Sequence, residues 1–144
     1  MVTAMDMQWP YSQVLERLRA VGLRPTRQRL ALAKLLFGGA EDRHVSAEIL
    51  HGEALKNRMR VSLATVYNTL HQFTDAGLLR EIVVDSGRSY FDTNVKNHHH
   101  MYIEDHKKLV DISAADIHIK SMPAVPEGME ISRVDVIIRV NKSN

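Results

Sequence analysis

The period of the apolar residues changes at Gly77, and no single regular element can span that point. Before it, Leu63, Val66, Leu70 and Phe73 recur at three- and four-residue steps. That spacing predicts a helix over 63–76 with one apolar stripe. Ser62 is placed to cap its start, and Gly77 to close it. After Gly77 the pattern alternates. Residues 79–84 read as a strand, Asp85-Ser86-Gly87 as a turn and residues 88–92 as a second strand, which makes a hairpin. A chain that switches from helical to alternating period in this way belongs to the α+β class.

Upstream, the same signals predict more helices. Val14, Leu15, Leu18 and Val21 mark one over 12–21, stopped by Gly22. Thr26 caps a second over 27–37, which buries Leu30, Ala33 and Leu36 or their neighbours and ends at Gly38-Gly39. His44-Val45 leads into Ser46, the cap of a third helix to about Leu55, with Ala47, Leu50 and Ala54 on one face. Several short helices and then a hairpin form the pattern of a winged helix, whose last helix enters the DNA major groove. The 63–76 helix suits that task. Thr65, Asn68, Thr69 and Gln72 point away from its stripe, with Tyr67 and His71 at the margins. Amides, hydroxyls and such rings can read base edges. Ordinary surface helices carry more Glu and Lys, whereas this face has only Asp75, near its end.

The charge distribution agrees. Net charge is only +2, but six basic residues and no acid lie between Arg17 and Lys34, and Lys56, Arg58 and Arg60 form a second cluster. A solvated basic face would look similar; a surface for phosphates is the other reading. Candidate DNA contacts are Arg24, Arg27, Ser62, Thr65, Tyr67, Asn68 and His71. The 144 residues allow one medium domain or two small ones. No apolar run approaches a membrane span, and residues 1–9 lack the pattern of a signal peptide, so a cytoplasmic protein is expected. With no cysteine, the chain can supply neither disulfides nor thiolate zinc or iron–sulfur ligands.

Past the winged-helix part, residues 1–92, residues 93–97 read as a polar linker. Residues 98–144 then read as a small α/β unit: strands over 101–103 and 108–112, a short helix over 114–120 and a last strand over 131–140. About 50 residues make too small an independent core, so a dimer interface is expected. The unit opens on His98-His99-His100. In an extended chain His98 and His100 share one face and His99 takes the other. Imidazole is the commonest metal ligand, so the string signals a metal or a metallocofactor; a polar hinge without a ligand is the alternative.

Several motifs in order resemble the ferric uptake regulator family. They are Gly22-Leu23-Arg24-Pro25-Thr26-Arg27-Gln28-Arg29, His44-Val45-Ser46-Ala47-Glu48, Leu63-Ala64-Thr65-Val66-Tyr67-Asn68-Thr69-Leu70, Gly77-Leu78-Leu79 and His98-His99-His100. The resemblance runs from about residue 10 to 141. The histidine string without cysteines is most similar to the family's iron response regulator branch. The resemblance implies a homodimeric transcriptional regulator, with an N-terminal winged-helix domain and a C-terminal α/β dimerisation domain, acting on A/T-rich palindromic operators. It implies that Tyr67 touches thymine methyls, that Asn68 lies against DNA and that Arg24 reaches toward the minor groove.

The departures from the family pattern are informative. The paired CxxC motifs of a structural zinc are missing. The regulatory metal site maps onto His44, Asp92, His100 and Asp111, while its second motif histidine falls on Tyr102. A secondary site falls on Met101 and Val134. The branch implies haem, held in part by His98, His99 and His100. The expectation is therefore a sequence-specific regulator of iron and haem homeostasis, responsive to haem or to a divalent metal such as Fe, Mn or Zn, and not an enzyme. A metallohydrolase would need an HExxH-like motif, and none is present. A haem- or metal-buffering protein without operator binding is the alternative.

Overall fold

The computed structural model describes residues 4–85 and 87–143, with side chains from Ser12 onward. The order of elements is α1 (Ala4–Ala20), α2 (Arg27–Phe37), β1 (His44–Val45), α3 (Ala47–Lys56), α4 (Leu63–Asp75), β2 (Arg80–Asp85), β3 (Arg88–Asp92), β4 (His99–Ile103), β5 (Lys108–Ile112) and β6 (Ile137–Val140). Short 3-10 turns at Glu104–His106 and Ala114–Asp116 flank β5. The chain divides into two compact units, Met1–Val95 and Lys96–Asn144.

The first unit is helical with a three-stranded antiparallel sheet of order β1-β3-β2. Local chemistry fixes its helix ends. Thr26, Ser46 and Ser62 are extended N-caps whose hydroxyls accept from the amides of Arg29, Ile49 and Thr65. Each cap satisfies one of the amides that a helix start leaves without a partner. Gly22 and Gly77 close α1 and α4 at positive φ, of 76° and 87°. The amide following each bonds back across the turn, Leu23 to Leu18 and Leu78 to Phe73. A side chain at such a left-handed position is strained, hence glycine.

The apolar stripes converge on one core of Val14, Leu18, Leu32, Ala33, Leu36, Val45, Leu50, Val66, Leu70, Phe73 and Phe91. Ala47, Leu50 and Ala54 all face it from α3, as their spacing predicts. Thr69 is a correction. Its side chain is buried, and its hydroxyl donates to the Thr65 carbonyl, one turn back. A threonine that bonds its own helix can enter a core that would reject a free hydroxyl. Helix α1 also begins earlier than residue 12, because no apolar stripe marks residues 4–11 and propagation from a formed helix is inexpensive.

The second unit is a three-stranded sheet of order β5-β4-β6, antiparallel between β4 and β5 and parallel between β4 and β6. Tyr102 and Leu109 are buried in it. Two expectations fail here. The helix over 114–120 reduces to the turn at Ala114–Asp116, since β-branched Ile117 and Ile119 follow at once and disfavour helix. The strand over 131–140 forms only from Ile137. Its register pairs Ile137 with His100, so residues before Val136 pass the start of β4 and have no strand to pair with.

Candidate functional site

Ligand-type side chains stand out in each unit. In the first, the two-residue strand β1 pairs with β3 so that His44 lies opposite Asp92. The His44 Nε2 is 3.2 Å from Asp92 Oδ2, and Asp92 is fully buried. The other carboxylate oxygen of Asp92 accepts from the Asn94 amide at 2.8 Å, which fixes its orientation.

In the second unit, β4 and β5 place His100 opposite Asp111. Strand alternation brings His98 to the same side, with the two rings 4.5 Å apart. Both imidazoles meet one oxygen: His98 Nε2 is 3.0 Å and His100 Nε2 3.3 Å from Asp111 Oδ1. His98, His100 and Asp111 thus offer ligand atoms within 4.8 Å of one another. The rings are almost inaccessible, at 7% and 2% exposure, while Asp111 is 37% exposed.

The hydrogen bonding assigns roles. His98 Nδ1 meets the Lys96 carbonyl, which can only accept. Nδ1 therefore carries a proton, and in the neutral ring Nε2 keeps the lone pair that a metal would need. A metal-bound histidine characteristically donates its other N–H in this way. His99 is the opposite case. Its Nδ1 accepts from the Val136 amide at 3.2 Å, so in the neutral ring the proton is on Nε2 and that atom has no lone pair for a metal. The sequence places His98 in a string that signals a metal or a metallocofactor, and the family resemblance gives it to haem; its partner Asp111 is seen only in the structure. The signal for His98 was its place two residues before His100. Tyr102, at the position of the missing motif histidine, is a buried core side chain under the Arg139 guanidinium.

The candidate DNA face lies on the first unit. Ala64, Asn68, His71 and Gln72 are exposed on α4, with Thr65 and Tyr67 half-buried, and Arg24 and Arg27 are exposed before and at the start of α2. Ser62 both caps α4 and donates to the Thr65 hydroxyl at 2.9 Å. His71 is stacked beside Tyr67, edge-on to Phe91, and 3.7 Å from Glu81 of β2. Two side-chain clamps that the sequence did not announce grip this helix. Tyr67 donates to Glu48 of α3 at 2.9 Å, and Arg29 of α2 donates to Gln72 at 3.0 and 3.2 Å.

The Tyr67 phenol is held above its ordinary pKa. The hydrogen bond to Glu48 contributes most, then burial, then the Glu48 charge. A raised folded-state value means the bond contributes below the usual phenol range and is lost as pH rises through the shifted one. Glu48→Gln is expected to lower the pH at which Tyr67 ionises, read by NMR titration of its ring. An unchanged titration would show that the bond does not form in solution.

Comparison with known proteins bears directly on this arrangement. A sequence profile described as the ferric uptake regulator family matches residues 20–139. The chain belongs to the ferric uptake regulator family. Members of this family are transcription regulators rather than enzymes. One relative is the ferric uptake regulation protein of Cupriavidus metallidurans, 38% identical over 101 residues, which are 69% of this chain and 70% of that protein. Another is the peroxide-responsive repressor PerR of Staphylococcus aureus, 34% identical over 94 residues, or 65% of this chain and 62% of the repressor. In structure the chain is similar to the ferric uptake regulator of Pseudomonas aeruginosa with manganese, with a TM-score of 0.68 and 28% identity over 90% of this chain and 97% of that one. The family architecture of a DNA-binding domain followed by an α/β dimerisation domain holds for this chain. No described helix is long and apolar enough to cross a membrane.

Proposed function

We propose that this chain is a metal-responsive, homodimeric repressor that binds an A/T-rich palindromic operator in the cytoplasm. His98, His100 and Asp111 of the second unit serve as ligands of a divalent ion, and His44 with Asp92 forms a second ligand pair within the first unit. The carrying observation is the single Asp111 oxygen approached by two imidazole nitrogens. Either protons or a cation must bridge such a group, and nitrogen and carboxylate ligands suit Mn, Fe or Zn. Residues 93–97 act as the linker between residues 1–92 and 98–144. Exposed Ile119, Met122, Val125, Met129, Ile131 and Ile138 in the second unit support burial against a second copy. Arg24, Arg27, Ser62, Thr65, Tyr67, Asn68 and His71 are the proposed DNA contacts. Ion occupancy biases operator affinity, a coupling typically worth ~1–3 kcal/mol.

The second reading is the iron response regulator branch, with haem as effector. The histidine string and the lack of cysteine favour it. The ring geometry favours an ion, because His99 keeps its proton on Nε2 and His98 and His100 are buried. The test is operator binding by the full chain with Mn(II), with a chelator and with haem, over a range of salt. Mn(II) is expected to strengthen binding, and the logarithm of affinity to fall linearly with the logarithm of salt as counterions are released. Binding indifferent to both Mn(II) and salt would overturn the proposal. A haem absorption band together with lost operator binding would replace the ion reading with the haem one.

A further inference from the structure

The clamp between Arg29 and Gln72 has a consequence for which base Gln72 can read. Gln72 is exposed on α4, on the same face as Asn68. Its Oε1 accepts two N–H groups of one guanidinium, from Arg29 Nε at 3.2 Å and Nη2 at 3.0 Å. The third guanidinium nitrogen donates to the Arg24 carbonyl at 2.9 Å, so the clamp is itself anchored in the turn before α2. The amide orientation is fixed by chemistry. A flipped Gln72 would set an NH2 donor against two N–H donors. Among the described residues the Gln72 Nε2 meets no acceptor.

A free glutamine recognises adenine with both ends of its amide, accepting from N6 and donating to N7. Gln72 cannot do so here, because its acceptor end is taken. Building on the reading of α4 as the DNA-reading helix, we infer that Gln72 is a specificity-determining residue restricted by Arg29 to donating. It takes base edges that present acceptors: guanine O6 and N7 first, thymine O4 next, and adenine N7 last, because adenine's neighbouring N6 donor is then left without an acceptor. It rejects the cytosine edge, which presents only a donor. Arg29 is the positioning residue: it sets which end of the amide faces outward without itself reading a base.

The test is selection from a fully randomised duplex library by the full-length chain loaded with Mn(II). Wild type, Gln72→Ala, Gln72→Glu and Arg29→Ala are compared, each checked for its helical circular dichroism and melting. Wild type is expected to prefer guanine or thymine at one position of each half-site. Gln72→Ala is expected to relax that position alone, by about 5-fold. Gln72→Glu keeps a partner for Arg29 but turns the outward end into an acceptor, so preference at that position moves to cytosine. Arg29→Ala frees the amide oxygen, and adenine gains there. Preference for adenine in wild type overturns the inference, and so does a Gln72→Ala profile unchanged at every position. In both of those cases operator binding itself stands. If wild type enriches no sequence, the DNA-binding reading fails, and this inference with it.

Discussion

Replacing His100 by alanine is expected to lower Mn(II) affinity by on the order of 100-fold, since even partners one step removed from a metal typically matter 10- to 100-fold. The ring is 2% exposed and lies 3.3 Å from the Asp111 oxygen that it shares with His98. Its loss removes one of three ligand atoms that the second unit brings together. The effect is readable as stability. At a metal concentration 100 times its dissociation constant, wild type gains about 2.7 kcal/mol from binding to the folded state alone. The variant at the same concentration should gain only about 0.4 kcal/mol. Thermal unfolding with and without Mn(II) checks this. An equal Mn(II)-induced rise in melting temperature for both proteins would remove His100 from the ligand set.

Phe73→Ala is expected to destabilise the first unit by about 3–5 kcal/mol, the range for deleting a buried aromatic ring and leaving a cavity. Phe73 is completely buried in the stripe of α4, with its ring 6.4 Å from that of Phe37 on α2. Against a typical domain stability of about 5–15 kcal/mol, this is a large share. Operator binding should fall with it, because the same helix carries the outward face. Denaturant titration of the two proteins measures the loss. A change below about 1 kcal/mol would mean that α4 is not anchored by this ring.

Much of the first unit was legible because its signals are local. A cap residue meets an amide three residues on, and a stripe at helical spacing faces one way whatever lies beyond it. Ser46, Ser62 and the face of Ala47, Leu50 and Ala54 are therefore as the sequence implies. Thr69 misled because its hydroxyl finds an acceptor within its own helix, which polarity alone does not reveal. The strand over 131–140 misled because alternation states a willingness to pair, whereas a strand also needs a neighbour, and β4 begins only at His99.

The ligand groups divide in the same way. The identities His44, Asp92, His98, His100 and Asp111 are written in the chain, and so is the placing of His98 and His100 on one strand face, which follows from the pleat alone. Only the tertiary structure could set His44 opposite Asp92, because a two-residue strand has no period to read and is made by its partner β3. The bond from Val136 to His99 was equally out of reach, spanning 37 residues and deciding which ring nitrogen keeps its proton. So was the grip of Arg29 on Gln72, 43 residues away. The change of period at Gly77 determined the α+β class and which helix precedes the hairpin. Long-range contacts decided what the side chains on that helix have left to offer a ligand, because a hydrogen bond already made inside the protein is one that a base or an ion cannot use.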